Sequence, residues 1–145
     1  MNSTIAKVYF QHVHVNLQYM KYLGVDYGTK RVGLAISDED GNFAFPYGIV
    51  ENKKVIKTIE NISKKEKIDI IILGNSNATN GYENDISNEI NSFKSKLALA
   101  IETSIFLERE DFSSFEAHRY QEKKGHRDDS AAAIILQRFL DKKKK

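Results

Sequence analysis

"YLGVDYGTKRVGLAIS", residues Tyr22 to Ser37, decides the fold. Residues 21–27 and 31–37 each alternate in the strand manner, and Gly28-Thr29-Lys30 joins them with a connection short enough for a hairpin. Alternation sends Leu23, Val25 and Tyr27 to one face and Tyr22, Gly24 and Asp26 to the other. Asp26 is the single carboxylate of the stretch, and a buried acid without compensation costs several kcal/mol. It is either a ligand at a strand end or a turn acid capping the amides of Gly28 and Thr29. On the first reading Gly24, Gly28 and Gly33 clear space for a metal and a phosphodiester beside it.

Outward from the hairpin, "DEDGN" (Asp38 to Asn42) is a second turn, leading into the strand "FAFPYGIV" (Phe43 to Val50). Pro46 assigns that strand to an edge or an irregular point. The period then changes: apolar residues at 55, 56, 59 and 62 have helical spacing, with lysines on the outer face. "IDIIILG" (Ile68 to Gly74) has too many adjacent aliphatics for a half-exposed strand and reads as buried on both faces, as in a parallel sheet. Residues 82–100 are helical through Ile86, Ile90, Phe93, Leu97 and Ala100, and "SIFLE" (Ser104 to Glu108) supplies another strand. Ser113 with Glu116 makes a capping box that opens a helix running toward Gly125. "DDSAAAIILQRFLD" is a last helix with acids at its start and lysines at its end, as the macrodipole favours. The order is an antiparallel three-stranded unit followed by βα crossovers, an α/β fold with one five-stranded mixed sheet flanked by helices.

The 145 residues suit one domain, long enough to bury roughly two-thirds of the surface of the unfolded chain. The absence of cysteine excludes disulfides and thiolate metal sites, and fits a reducing, cytoplasmic setting. The formal charge is only +2, but six lysines crowd residues 53–67 and four close the chain, a modest attraction for phosphate. The longest apolar run, Ala131 to Leu136, is far short of the roughly 20 residues that span a bilayer, so no membrane partner is expected. Residues 1–19 carry no continuous apolar core and make a poor signal peptide. They read as an N-terminal extension, disordered or outside the native chain if translation begins at Met20. Residues 20–141 form the domain and 142–145 a basic tail.

In such a sheet the functional crevice lies beyond the carboxyl ends of the parallel strands. Asp26 sits at one such end. Glu108, Glu110 and Asp111 follow another, and Asp128 and Asp129 open the last helix. Acids from three separated segments meeting at one edge suit Mg²⁺ or Mn²⁺, hard cations that take oxygen ligands. Asp128 or Asp129 is alternatively a helix N-cap, and Glu108 and Glu110 alternatively solvated strand-end acids.

"LGVDYGTKRVGLAISD" with "AAAIILQRFLD" resembles the YqgF or RuvX-like family, described as Holliday junction resolvases and as pre-16S rRNA nucleases, over residues 20–141. The resemblance implies a ribonuclease H-like fold and a metal-dependent nuclease acting on structured nucleic acid, with a role in maturing the 5′ end of small-subunit rRNA. By position it assigns Asp26, Glu110 and Asp128 as catalytic metal ligands for Mg²⁺ or Mn²⁺, with Glu108 or Asp129 as neighbouring alternatives. Lys30, Arg31 and Arg127 are then phosphate contacts, in a monomer or homodimer. Two departures stand out: Arg109 occupies the place of a family aspartate, and "GNSNATNG" (Gly74 to Gly81) replaces a Gly-Leu-Pro segment. Cleavage of four-way DNA junctions by a dimer, and a non-catalytic rRNA-binding or assembly module of the same fold, are the alternative functions.

Overall fold

A computed structural model describes residues 7–10, 13–16, 19–75, 83–108 and 128–143, with side chains described over 19–75, 88–108 and 131–143. The chain begins with β1 (Lys7–Phe10) and β2 (Val13–Asn16), an antiparallel pair forming a small sheet of its own. The N-terminal extension thus contains a short ladder, with Val8 opposite Val15. Next come β3 (Tyr22–Asp26), β4 (Arg31–Ser37) and β5 (Ala44–Glu51), successively antiparallel. A single turn of 3-10 helix (Asn52–Lys54) feeds α1 (Val55–Lys65), followed by β6 (Ile70–Gly74), α2 (Glu83–Ala100), β7 (Ser104–Leu107) and α3 (Asp128–Lys143). β6 runs parallel to β3, and β7 parallel to β6, so the sheet order is β5-β4-β3-β6-β7. This is the five-stranded mixed sheet expected from the alternation and the aliphatic runs. The helix expected over 113–125 lies outside the described residues.

The alternation of β3 divides the interior in two. Leu23, Val25 and Tyr27 enter a core with Val32, Leu34, Val55, Ile59, Ile71, Leu73, Phe93 and Leu97, under α1 and α2. Tyr22 enters the opposite core with Ala35, Ile70, Ile72, Ile135, Leu136 and Leu140, under α3. Every residue of β6 is buried, which explains its unbroken aliphatic sequence: Ile71 and Leu73 serve one core, Ile70 and Ile72 the other. Pro46 has both of its expected positions. β5 is an edge strand, and the ladder slips between Leu34, opposite Gly48, and Ala35, opposite Pro46, so that Tyr47 is the extra residue of a bulge.

The α3 layer approaches the sheet closely because Gly24 has no side chain. A Cβ there would lie 2.8 Å from Leu136 Cβ and 3.2 Å from the Ala132 carbonyl oxygen. The turn before β5 also docks on α3: Gln137 accepts from the Ala44 amide at 2.8 Å and donates to the Asn42 carbonyl at 3.0 Å. That turn is built by Asp38, whose carboxylate accepts from the amides of Asn42 and Phe43, with Gly41 at φ +68°. The helix runs two residues past its expected end, so Lys142 and Lys143 belong to it rather than to a tail; the Lys143 ammonium stands 5.6 Å from the centre of the Tyr22 ring.

Gly24→Ala therefore overpacks the helix contact and is expected to cost about 1–3 kcal/mol in urea unfolding. Gly48→Ala is the control, since a Cβ there meets nothing within 4 Å. Burial, reinforced by the nearby charge of Asp69, pushes the Tyr22 hydroxyl from its ordinary 10.0 up to about 12. The unfolded chain releases this proton first, so stability falls as pH rises from about 10 toward 12, and is intact below 10. Tyr22→Phe should flatten that alkaline decline in melting temperature.

Candidate active site

Asp26 ends the central strand β3 and is only 5% exposed. Its neighbours in the ladder are Gly33 on β4 and Gly74 on β6. One strand further, Leu73 pairs with Leu107, and the Glu108 amide donates to the Leu73 carbonyl at 2.8 Å, which sets Glu108 beside Gly74. Asp26, Gly74 and Glu108 thus form one row across three strands at the carboxyl edge. Laterally paired residues share a face, and the row is in phase with Tyr22, Ile70 and Ile72, which face α3. Two carboxylates of one face are separated by a residue with no side chain, their Cα atoms about 10 Å apart at two strand spacings.

Glu108 is 9% exposed and accepts a 2.6 Å hydrogen bond from the Lys142 ammonium on the last turn of α3. Glu108 is therefore not a solvated strand-end acid: it is buried and charge-paired. The other end of α3 approaches Asp26. Tyr22 lies tilted against Phe139, at 5.6 Å between ring centres, whereas Gly24 meets Ala132 and Leu136. Contacts move back along the helix as β3 advances, so the first turn of α3, which begins at Asp128, comes level with the end of the strand.

The β3–β4 turn is held from the side. Asn52 Nδ2 donates to the Gly28 carbonyl at 2.6 Å, and the Asn52 amide donates to the Lys30 carbonyl at 2.9 Å. Lys30 and Arg31, both exposed, are carried on this braced turn immediately after Asp26. The glycines have different uses from those expected: Gly24 admits α3, and a Cβ at Gly28 would run into the Arg31 carbonyl oxygen, so neither leaves an open approach for a ligand.

Glu110 and Arg127 lie outside the described residues, as do Asp111 and the side chains of Asp128 and Asp129. Among the described residues no group of three His, Asp or Glu side chains comes together as a metal site. What the described chain brings together is Asp26, Glu108, the Lys30–Arg31 turn and the backbone at the start of α3. The sequence reading missed Asn52 and Lys142, whose partners are 24 and 34 residues away; an asparagine directly after an edge strand is the only signal for the first.

A hairpin and edge strand followed by two parallel strands, in the order β5-β4-β3-β6-β7 with helices on both faces, make a ribonuclease H-like fold. The chain belongs to the family described as "RuvX: Holliday junction resolvase", whose sequence model matches residues 20–142. It is 34% identical over 136 residues to a protein of Maridesulfovibrio salexigens named "Putative pre-16S rRNA nuclease", covering 83% of this chain and 98% of the relative. A protein of Lawsonia intracellularis with the same name is 35% identical, over 84% of this chain and 94% of its own. Among solved structures, Thermus thermophilus RuvC in complex with Holliday junction substrate shares the fold, at TM-score 0.56 and 12% identity over 83% of this chain and 93% of that one. The chain is accordingly a phosphodiester-cleaving hydrolase by family. No helix among the described residues is long and apolar enough to cross a membrane.

Lys142→Met should leave Glu108 buried without its counter-charge and lower stability by about 1–3 kcal/mol in chelator. Adding Glu108→Gln should restore part of the loss, and a double-mutant cycle by urea unfolding measures the coupling.

Proposed function

We propose that this chain is a divalent-metal-dependent nuclease that processes the 5′ end of the small-subunit rRNA precursor in the cytoplasm. The observation that carries the reading is Asp26, a carboxylate 5% exposed at the carboxyl end of the central strand, in one row and on one face with Glu108. Hard oxygen donors sharing one face at the carboxyl edge suit Mg²⁺ or Mn²⁺. Asp26 and Asp128 hold the ion from the strand end and the helix start. The third carboxylate comes from the segment after β7: the row position supports Glu108, and the resemblance supports Glu110. Such an ion, when bound, supplies an activated water and stabilises the leaving oxygen. Lys30 and Arg31 hold the substrate backbone from the braced turn, with Arg127 beside the helix start, so binding depends on salt more than on sequence. The names borne by the curated relatives support an RNA substrate.

The family description favours a second reading, cleavage of four-way DNA junctions, which needs a homodimer to cut two strands symmetrically. A single experiment separates the two. Purified protein is incubated with 16S precursor RNA or a synthetic four-way junction, in Mn²⁺ or in chelator. Metal-dependent RNA cleavage by the wild type is expected. Asp26→Asn should lose more than the roughly 10–100-fold that an outer partner of a metal site costs. Glu108→Gln and Glu110→Gln, assayed in parallel, identify the third carboxylate by the larger loss. Cut junctions with intact RNA would favour the second reading, and binding without cleavage of either would leave a non-catalytic rRNA-binding module.

A further inference from the structure

Asp26 and Tyr27 are consecutive residues at one sheet edge, and alternation sends them to opposite faces. On the Asp26 face lie Glu108 and α3. On the Tyr27 face, between the 3-10 turn before α1 and the outer side of α2, is a cleft of about 510 Å³ that the site above does not use. Its volume falls within the roughly 300–1,000 Å³ of small-ligand sites.

The lining has three parts. Tyr27 and Phe93, buried and tilted against one another with ring centres 5.0 Å apart, form an aromatic floor. Asn52 lines the wall; its Nδ2 is committed to the Gly28 carbonyl, and its Oδ1 has no hydrogen bond among the described residues. Lys53 and Lys96 stand at the exposed rim against one acid, Glu89. Lys53 is held only loosely by Glu51, at 4.0 Å and with both side chains well exposed, and Lys96 makes no ion pair among the described residues. An aromatic floor, a hydrogen-bond acceptor on the wall and an excess of cations at the mouth suit a base with its phosphate attached.

We propose that this cleft receives one unpaired nucleotide of the substrate, the one next to the phosphodiester held at Asp26. The base lies over the Tyr27–Phe93 floor, an amino group on it donates to Asn52 Oδ1, and its phosphate meets Lys96 and Lys53. The inference rests on the nuclease reading and adds a preference to it: the enzyme favours duplexes with an unpaired nucleotide at the cleavage point. Asn52 couples the two faces, because the same side chain that lines the cleft braces the turn carrying Lys30 and Arg31.

The test is binding in EDTA, so that no cleavage intervenes, to a blunt RNA duplex and to the same duplex ending in one unpaired 2-aminopurine nucleotide. Wild type should quench the 2-aminopurine fluorescence severalfold and bind the flapped duplex more tightly. Lys96→Gln should weaken the flapped duplex about 3–10-fold and the blunt one less than 2-fold, as expected for one phosphate contact. Ser92→Leu, at an exposed position of α2 in the cleft wall, should abolish quenching while thermal melting stays unchanged. Absent quenching, or equal losses on both duplexes with Lys96→Gln, overturns the cleft proposal and leaves the nuclease reading standing. Equal quenching of free 2-aminopurine ribonucleoside monophosphate, without preference for the flap, reassigns the cleft to a free nucleotide and overturns the proposal. No binding to either duplex in EDTA overturns the cleft proposal, while the nuclease reading stands or falls on cleavage in Mn²⁺.

Discussion

The missing side chain of Gly24 is the constraint on which the rest of the molecule depends. With a Cβ 2.8 Å from Leu136 Cβ, α3 would have to lift from β3. Lifting it would open the core made by Tyr22, Ile72, Ile135, Leu136 and Leu140, and would withdraw Gln137 from the turn before β5. It would also move the first turn of α3 away from the end of β3, and Lys142 away from Glu108. A glycine in a strand interior ordinarily weakens the strand. Here that local cost is offset by a helix seated deeply enough to deliver groups to the edge from both of its ends.

Glu108 has an internal cation, Lys142, at 2.6 Å. That pair is half open to solvent on the lysine side, so its strength is moderated by water while the carboxylate stays desolvated. The pairing also bears on the nuclease reading. An ion arriving at Glu108 would share the carboxylate with a resident ammonium.

Most of the fold was legible because period and burial agree. Leu23, Val25 and Tyr27 fall in one core and Tyr22 in the other, as alternation requires; the aliphatic run of β6 is buried on both faces; and Pro46 marks an edge and a bulge at once. What was not legible is whatever depends on distant partners. Gly24 read as room for a ligand because nothing local says that Leu136 fills it. Lys142 read as tail because charge runs at a chain end are usually solvated, and its acid lies 34 residues back. Asn52 carries no signal beyond its place after an edge strand until the turn at Gly28 is brought beside it. Of the candidate site, the place of Asp26 at a buried strand end was legible from the sequence, a carboxylate among glycines and aliphatics. The choice between Glu108 and Glu110 was not, because a gapless alignment counts residues while the sheet counts ladder positions.

Those ladder positions give the edge its division of labour. Alternation at Asp26–Tyr27 turns one residue step into a change of face, so a single strand end addresses an acidic row on one side and an aromatic cleft on the other. On the proposed reading, a nucleic-acid strand crossing this edge would turn its backbone toward the acids and one base toward the rings. Neither face reaches the other through side-chain packing, since the sheet lies between them. Asn52 spans them instead, hydrogen-bonded to the turn that follows Asp26 while lining the cleft beneath Tyr27. Two hydrogen bonds to one turn thus join the wall of the cleft to the segment that directly follows Asp26.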